Sequence, residues 1–252
     1  MDNRRLIKLA TSAGKIILES GGEVYRVEET ITKFLNAYDI KHAESFVTPT
    51  GIMVSLTDNE GDVLSVIIRV TKSNVDLEKV SLINALSRQV TLTPLSLDKL
   101  EEELKIIDAR KPYSVKFQLL MAALCGFSFT LLFGGNVSDA FVAFFIGIGV
   151  RIIQHYTREI KLNGIFINIL GGSFVAAASI LATEALPLEL DMNTIIIGSI
   201  MLLVPGIAFT NAIRDTLVGD YLSGVSRGME AFLIAVGIAI GVGMVLALTG
   251  RF

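Results

Sequence analysis

The chain has 252 residues, a mean hydropathy of +0.61 and a formal net charge of −3. This hydropathy is high for a soluble protein, and the near-neutral charge argues against a nucleic-acid partner. A single cysteine, Cys125, excludes an internal disulfide framework and a cysteine-cluster metal site.

The charged residues are concentrated in the first part of the chain. Residues 1–115 carry 15 Lys and Arg with 17 Asp and Glu, whereas residues 116–252 carry only 7 and 8. This contrast predicts two domains, a soluble domain over 1–115 and a membrane domain over 116–252.

The first domain is predicted to be a small α+β domain. Apolar residues at spacings of three and four indicate helices over 6–17, 24–38, 80–90 and 97–107, with Gly21-Gly22 separating the first two. Alternating apolar residues over 52–56 and 64–70 predict a hairpin with its turn at 58–62. Residues 48–51 are interpreted as a bend that leads into the first strand, with a ligand loop as the alternative. Charges at Lys8, Lys15 and Glu19 interrupt the first apolar helix, so it is no signal peptide and the domain is expected in the cytosol.

The soluble domain shows no catalytic set. The chain has two histidines, His42 and His155, and lacks the HExxH, nucleophile-elbow and phosphate-loop motifs. The sequence therefore predicts neither an enzyme nor a bound cofactor or metal. Gly21-Gly22-Glu23 opens a helix and could hold an anion there, although a plain helix break explains it more simply.

Five segments of the second part are apolar enough to cross a bilayer. Each approaches the ~20 residues that span a hydrocarbon core of ~30 Å. The sequence predicts an α-helical polytopic membrane protein with five transmembrane helices and an N-terminal cytosolic α+β domain. The predicted spans are 117–133, 139–154, 164–183, 194–212 and 229–249.

Basic residues near the span ends predict the orientation. Nine of them fall on one side of the membrane, and on the other side only Arg251 does. Because loops rich in Lys and Arg stay in the cytoplasm, the N-terminus is predicted inside and the C-terminus outside. The nine are Lys105, Arg110, Lys111, Lys116, Arg151, Arg158, Lys161, Arg214 and Arg227.

The fourth span contains the candidate site. Pro205 removes a backbone donor and Gly206 weakens the helix further, so this break is expected to face the protein interior or a wet cavity. Asn211 and Asp215 follow four residues apart, on one helix face, and Asp220 lies in the cytosolic connection. A structural kink followed by ordinary interfacial charges is the alternative interpretation.

Two further features concern helix packing. Gly237 and Gly241 form a GxxxG pair that favours close helix contact. Asn168, inside the third span, is expected to hydrogen-bond across to a neighbouring helix.

These residues together resemble the threonine/serine exporter family of bacterial membrane proteins. The resemblance rests on Pro205-Gly206, Asn211, Asp215, Gly219-Asp220 and the glycine-rich last span, and on the stretch from Gly21 to Glu28. The Phe46 to Gly51 turn before a strand also matches.

The resemblance implies a function and a partner. Family members occur as one long chain with two membrane blocks or as two subunits, and this chain resembles the larger subunit of the split type. A second, smaller membrane subunit of the same family, or self-association, is therefore expected. The implied function is export of small polar metabolites across the bacterial cytoplasmic (inner) membrane, either threonine and serine or dicarboxylates such as succinate. No ATP-binding motif is present, so an ion gradient is the expected energy source.

Roles for the candidate residues follow from that function. Pro205 and Gly206 would expose backbone groups, Asn211 would orient the substrate, and Asp215 would couple transport to a proton or bind a substrate ammonium group. The alternative from another class is a membrane-anchored sensor whose soluble domain binds the ligand.

Overall fold

The structure is a computed structural model that describes residues 2–40, 42–57, 61–71, 74–159 and 162–251. Within these ranges the chain forms ten helices and three strands. They are α1 (Asn3–Glu19), α2 (Val24–Ala37), β1 (Ala43–Thr48), β2 (Gly51–Thr57), β3 (Val63–Arg69), α3 (Leu77–Leu92), α4 (Leu97–Asp108), α5 (Val115–Leu132), α6 (Val137–Glu159), α7 (Gly164–Ala185), α8 (Met192–Ile200), α9 (Gly206–Val218) and α10 (Tyr221–Leu248).

Polar side chains fix the starts of three helices in the N-terminal part. Asp2, Asp76 and Ser96 each accept a hydrogen bond from the amide three residues later, at the starts of α1, α3 and α4. Such caps satisfy amides that have no partner within the helix. Helix α2 differs, because the side chain of its capping residue, Glu23, makes no such bond.

The four predicted helices of this part are confirmed, and one apolar core joins them to the sheet. Phe34 and Leu35 of α2 lie in this core, together with Ile52 of β2 and Ile83 of α3. Leu100 extends the same core to α4. The helical spacing of apolar residues therefore identified the buried faces.

The strands form one antiparallel sheet in the order β1-β2-β3. The predicted hairpin is confirmed as β2 and β3, and residues 58–60 of its turn lie outside the described residues. Strand β1 was not predicted, and the bend at 48–51 joins it to β2. Val47, Ile52 and Val54 are buried on the inner face of the sheet.

Among the described residues, four helices are long and apolar enough to cross a membrane. They are α5, α6 over Val137–Thr157, α7 and α10, and they correspond to the first, second, third and fifth predicted spans. The fourth predicted span, 194–212, is not among these helices. The segment forms α8, with 9 residues, and α9, with 13, and a turn separates them before Pro205. The helix break predicted from Pro205-Gly206 is therefore present, because Pro205 lacks the amide hydrogen that a continuous helix needs.

The chain divides into two compact units by its contacts. One unit contains residues 1–112 and 207–228, and the other contains 113–206 and 229–252. Most of α9 and the first turns of α10 therefore belong with the soluble elements. The division at residue 115, made from charge density, stays a prediction.

Helices α7 and α10 approach closely through glycine. A Cβ built on Gly241 would lie 2.2 Å from the carbonyl oxygen of Ile169, and one on Gly237 would lie 3.1 Å from that of Ile165. The hydroxyl of Ser173 donates to the Gly241 carbonyl at 3.1 Å. The close contact predicted from the GxxxG pair is confirmed.

The expectation for Asn168 was wrong. Its amide nitrogen donates to the carbonyl oxygen of Gly164 at 2.8 Å, one turn earlier in the same helix. The bond satisfies an asparagine inside an apolar helix without a partner from another helix.

Replacing Gly241 with alanine is expected to destabilise the membrane unit by about 1–3 kcal/mol, the usual cost of overpacking. The added methyl group would meet the backbone of Ile169, which cannot move aside as a side-chain end can. Reversible unfolding in detergent measures the change. Gly164→Ala is the matched control, because no described atom lies within 4 Å of a Cβ at Gly164. Equal stability of the two variants would contradict the packing.

One end of the membrane unit is tied together by Asp139 and its neighbours. The Asp139 carboxylate accepts from the amide of Asn136 at 2.9 Å and from the amide of Asp191 at 2.9 Å. Arg251 forms an ion pair with Glu184. The loop between α5 and α6, the loop between α7 and α8 and the end of α10 therefore lie at the same end of the unit.

Candidate functional site

The candidate site is centred on the turn between α1 and α2. Helix α1 ends at Glu19, and Gly21 has a φ of +81°, a left-handed conformation that favours glycine. The amide of Gly22 then bonds back to the carbonyl oxygen of Ile17 at 2.9 Å. This geometry closes the helix and leaves the carbonyl oxygens of Gly21 and Gly22 available to other partners.

Side chains from α9 and α10 bind these two carbonyl groups. Asn211 donates from its amide nitrogen to the Gly21 oxygen at 2.9 Å, and Arg227 donates from Nη2 to the Gly22 oxygen at 2.7 Å. Asn211 is 5% exposed and Arg227 is 8% exposed. Both bonds are shielded from water, so losing either would leave a buried polar group unpaired.

Glu23, the next residue of the turn, is held by two arginines. Its carboxylate accepts from Nε of Arg26 at 2.8 Å and forms an ion pair with Arg214 of α9. Three consecutive residues of the turn thus each have a partner on α9 or α10. We call Gly21, Gly22, Glu23, Asn211, Arg214, Asp215 and Arg227 the polar cluster.

Asp215 and Arg227 form a buried ion pair inside the polar cluster. Oδ2 of Asp215 lies 3.2 Å from Nε of Arg227, and the two side chains are 0% and 9% exposed. Among the described residues, neither Asp215 oxygen accepts a hydrogen bond of good geometry, although the Val24 amide is close enough to favour the anion. Nε of Arg227 likewise has no acceptor of good geometry there. Buried carboxylates normally accept several hydrogen bonds, so this carboxylate is electrostatically paired but under-coordinated.

The pKa values of two carboxylates of the polar cluster are shifted in opposite directions. Burial raises the pKa of Asp215 above its usual value; Arg227 and the Val24 amide favour the anion but do not outweigh burial. For Glu23, burial also raises the pKa, but hydrogen bonds led by that from Arg26 outweigh it and hold the pKa below its usual value. Burial thus favours the neutral form of Asp215, whereas the hydrogen bonds to Glu23 favour its anion.

Asp220 lies at the start of α10, at the margin of the cluster. Its Oδ1 accepts from the amide of Ser223 at 3.4 Å, and its own amide donates to the Asp215 carbonyl at 2.9 Å. Its negative charge adds to the upward shift of the pKa of Asp215. Asp220 is half-buried and acts on the cluster through its charge.

Pro205 and Gly206 belong to the other unit, and α9 begins at Gly206. Gly206 is exposed, and a Cβ built there would have no described atom within 4 Å. Pro205 itself is half-buried, so the setting of the break stays a prediction. Of the five predicted site residues, the structure places Asn211, Asp215 and Asp220 together.

Sequence reasoning missed the partners of these residues. Gly21 and Gly22 were interpreted as a helix break, which they are, but their carbonyl contacts to Asn211 and Arg227 were not anticipated. The available signal was the pair of separate stretches that resemble the same family, one at 21–28 and one at 205–228. Their polar residues contact each other in the folded chain.

The fold and the polar cluster define a class of protein. Four long apolar helices, most of whose surface is not buried within the chain, make it a multi-pass helical membrane protein. The polar cluster, by contrast, contains a buried ion pair, a kind of group that is costly to bury and is often functional.

Comparison with known proteins identifies the family. Residues 8–249 match the family described as "Putative threonine/serine exporter", so the chain belongs to the threonine/serine exporter family, which is a family of transporters and not of enzymes.

The similar proteins include exporters and transporter subunits. The chain is 25% identical to a "Threonine/serine exporter" of Corynebacterium glutamicum over 97% of this chain and 51% of that protein. It is 24% identical to a "Probable succinate transporter subunit YjjP" of Klebsiella aerogenes, over 99% of this chain and 96% of that one. A YjjP protein of Escherichia coli is 23% identical over 98% and 96%.

The chain spans about half the length of the first of these relatives and nearly the whole length of the YjjP proteins. No solved structure matches the chain.

Proposed function

We propose that the chain is a subunit of a secondary exporter that moves small polar metabolites out of the bacterial cytoplasm, driven by a proton gradient. Threonine and serine, or a dicarboxylate such as succinate, are the proposed substrates. Relatives named for each substrate support both choices.

The observation that carries the proposal is the buried Asp215 carboxylate. A proton-coupled exporter needs a group that gains and loses a proton during the transport cycle. When two neighbouring carboxylates have different pKa values, the one with the lower pKa keeps its charge and the one with the higher pKa can exchange a proton. In the proposal Asp215, whose pKa is raised by burial, exchanges the proton during the cycle, and Glu23, whose pKa is lowered, keeps its charge.

The other predicted residues act around Asp215. Asn211 lies one turn before it on the same buried face, where its amide orients a polar substrate. Pro205 and Gly206 leave backbone groups without helical partners, as in the broken helices of other transporters. Because Asn211 and Arg227 hold the Gly21–Glu23 turn in this structure, substrate entry requires these hydrogen bonds to rearrange.

The chain path supports five crossings. Asp191, at the start of α8, and Arg251, after α10, lie at the same end of the membrane unit. We infer that the predicted span 194–212 is the fourth crossing, which would bring the chain to the opposite side before α10 returns. The distribution of basic residues favours an N-terminus inside and a C-terminus outside.

A second membrane component is part of the proposal. An odd number of crossings means that an additional, similar block has the opposite orientation, and transporters commonly place their site between inverted halves. The relative from Corynebacterium glutamicum is about twice as long as the part that this chain covers, and the YjjP proteins are named as subunits. We therefore expect a smaller membrane subunit of the same family.

The test is export from loaded cells. A bacterial strain without its own threonine, serine and succinate exporters expresses the chain alone or together with a short multi-span protein of the same family. Release of each preloaded metabolite is followed with and without a proton gradient. We expect gradient-dependent release of at least one metabolite above an empty-vector strain, and more with both proteins.

Release equal to the empty-vector strain for all three metabolites, with both proteins present in the membrane, would overturn the proposal. Release that is unchanged when an ionophore collapses the proton gradient would overturn the coupling to protons.

A further inference from the structure

The outer face of the three-stranded sheet carries an exposed apolar row. Phe46 of β1 pairs with Met53 of β2, and Met53 pairs with Ile67 of β3, so the three side chains stand side by side. They are 50%, 43% and 77% exposed. Contiguous apolar side chains on a strand face that is open to solvent mark an interaction surface.

Charges flank this apolar row at opposite corners. Glu44 lies in the neighbouring row on β1, beside Ser55. Arg69 lies in the row on the other side, on β3, beside Gly51. Both charged residues are exposed, and neither forms an ion pair with a described residue. One diagonal of the face thus runs from a negative corner, across Met53, to a positive corner.

This diagonal makes the face complementary to itself. We propose that a second copy of the chain docks on it, with the two sheets face to face across a two-fold axis. The two-fold axis lies between the sheets, parallel to them and perpendicular to the diagonal. It places Glu44 of each copy opposite Arg69 of the other copy. A two-fold interface uses the same patch on both copies, so each ion pair occurs twice.

The same axis brings Met53 against Met53 of the second copy, at the centre of the contact. The strands of the two sheets then cross at a steep angle, close to the orthogonal class of sheet packing. Axes along or across the strands would instead place Glu44 opposite an uncharged residue of β3 or β1, Ser65 or Thr48. Charge complementarity therefore selects one arrangement.

Crosslinking of the full chain in native membranes tests the interface. In a Cys125→Ala background, Met53→Cys is expected to give a crosslinked dimer with a short bis-maleimide reagent. Ile106→Cys on α4 is the matched control, because Ile106 is an apolar residue that is 60% exposed and lies on a helix outside the sheet. The dimer yield from Met53→Cys should exceed that of the control several-fold.

Charge exchange tests the orientation. Glu44→Arg alone and Arg69→Glu alone should each lower the Met53→Cys dimer yield, because each places like charges together twice. The double variant Glu44→Arg/Arg69→Glu should restore it. All three positions are exposed, so the substitutions leave the apolar core intact.

Three results would overturn the proposal. They are a Met53→Cys yield no higher than that of Ile106→Cys, a double variant no better than the single variants, or crosslinks only to a different polypeptide. None of these measurements depends on transport, so failure of the interface and failure of the export proposal are separate outcomes.

Discussion

Replacing Asp215 with asparagine is expected to lower gradient-driven export by on the order of tenfold or more, since buried carboxylates in membrane transporters carry the coupling proton. Asparagine keeps the shape of the side chain but cannot take up or release a proton. Burial raises the pKa of Asp215, so the wild-type carboxylate takes up a proton at a higher pH than an exposed aspartate does. Its export rate should therefore change with cytosolic pH, whereas the residual export of Asp215→Asn should not.

The measurement is release of threonine, serine and succinate from loaded cells at several internal pH values, with the amount of protein in the membrane determined for each variant. Asp98→Asn is the control, because Asp98 is an exposed aspartate on α4 outside the polar cluster. Wild-type release and wild-type pH dependence in Asp215→Asn, for all three metabolites, would remove Asp215 from the mechanism.

Replacing Arg227 with methionine is expected to destabilise the folded chain by about 3–5 kcal/mol, because it leaves one charge of a buried pair without its partner. Among the described residues, the Val24 amide is the remaining group that favours the Asp215 anion, and it makes no hydrogen bond of good geometry. The Gly22 carbonyl would also lose the hydrogen bond from Nη2. Reversible unfolding of the purified protein in detergent measures the effect.

The double variant Asp215→Leu/Arg227→Met should be more stable than Arg227→Met alone, since it removes both buried charges together. Arg251→Met provides the comparison with an exposed pair: Arg251 and Glu184 are 36% and 56% exposed, and such pairs contribute less than about 1 kcal/mol. A cost for Arg227→Met no greater than that for Arg251→Met would show that the buried pair does not stabilise the fold.

Local patterns were sufficient to predict much of the fold. The helical spacing of apolar residues identified α1 to α4, since a helix buries one face whatever its partners are. Strand β1 was missed because Glu44 and Ser45 interrupt its apolar alternation. In the structure Val47 is its only fully buried residue. The break in the fourth span could be predicted because proline has no amide hydrogen, but the lengths of α8 and α9 on either side could not.

The polar cluster could be predicted only in part. The four-residue spacing of Asn211 and Asp215 correctly placed them on one buried face. The hydrogen bonds from Asn211 to Gly21 and from Arg227 to Gly22 could not be predicted from the pattern of either segment, because pairing between distant polar groups has no sequence period. Only the resemblance of both stretches to the same family linked them. The substrate roles of Asn211, Asp215, Asp220, Pro205 and Gly206 stay predictions.

The discontinuity of the first unit has a consequence for biogenesis. The hydrogen bond from Asn211 to Gly21 joins residues 190 positions apart. At a synthesis rate of about 5–20 residues per second, roughly 10–40 s separate the emergence of the two partners from the ribosome. During that interval three of the four long apolar helices, α5, α6 and α7, are made, while the carbonyl groups of Gly21 and Gly22 lack their partners. The first unit is therefore completed only after these helices, and a nascent chain stalled before α9 would present an unfinished surface to chaperones.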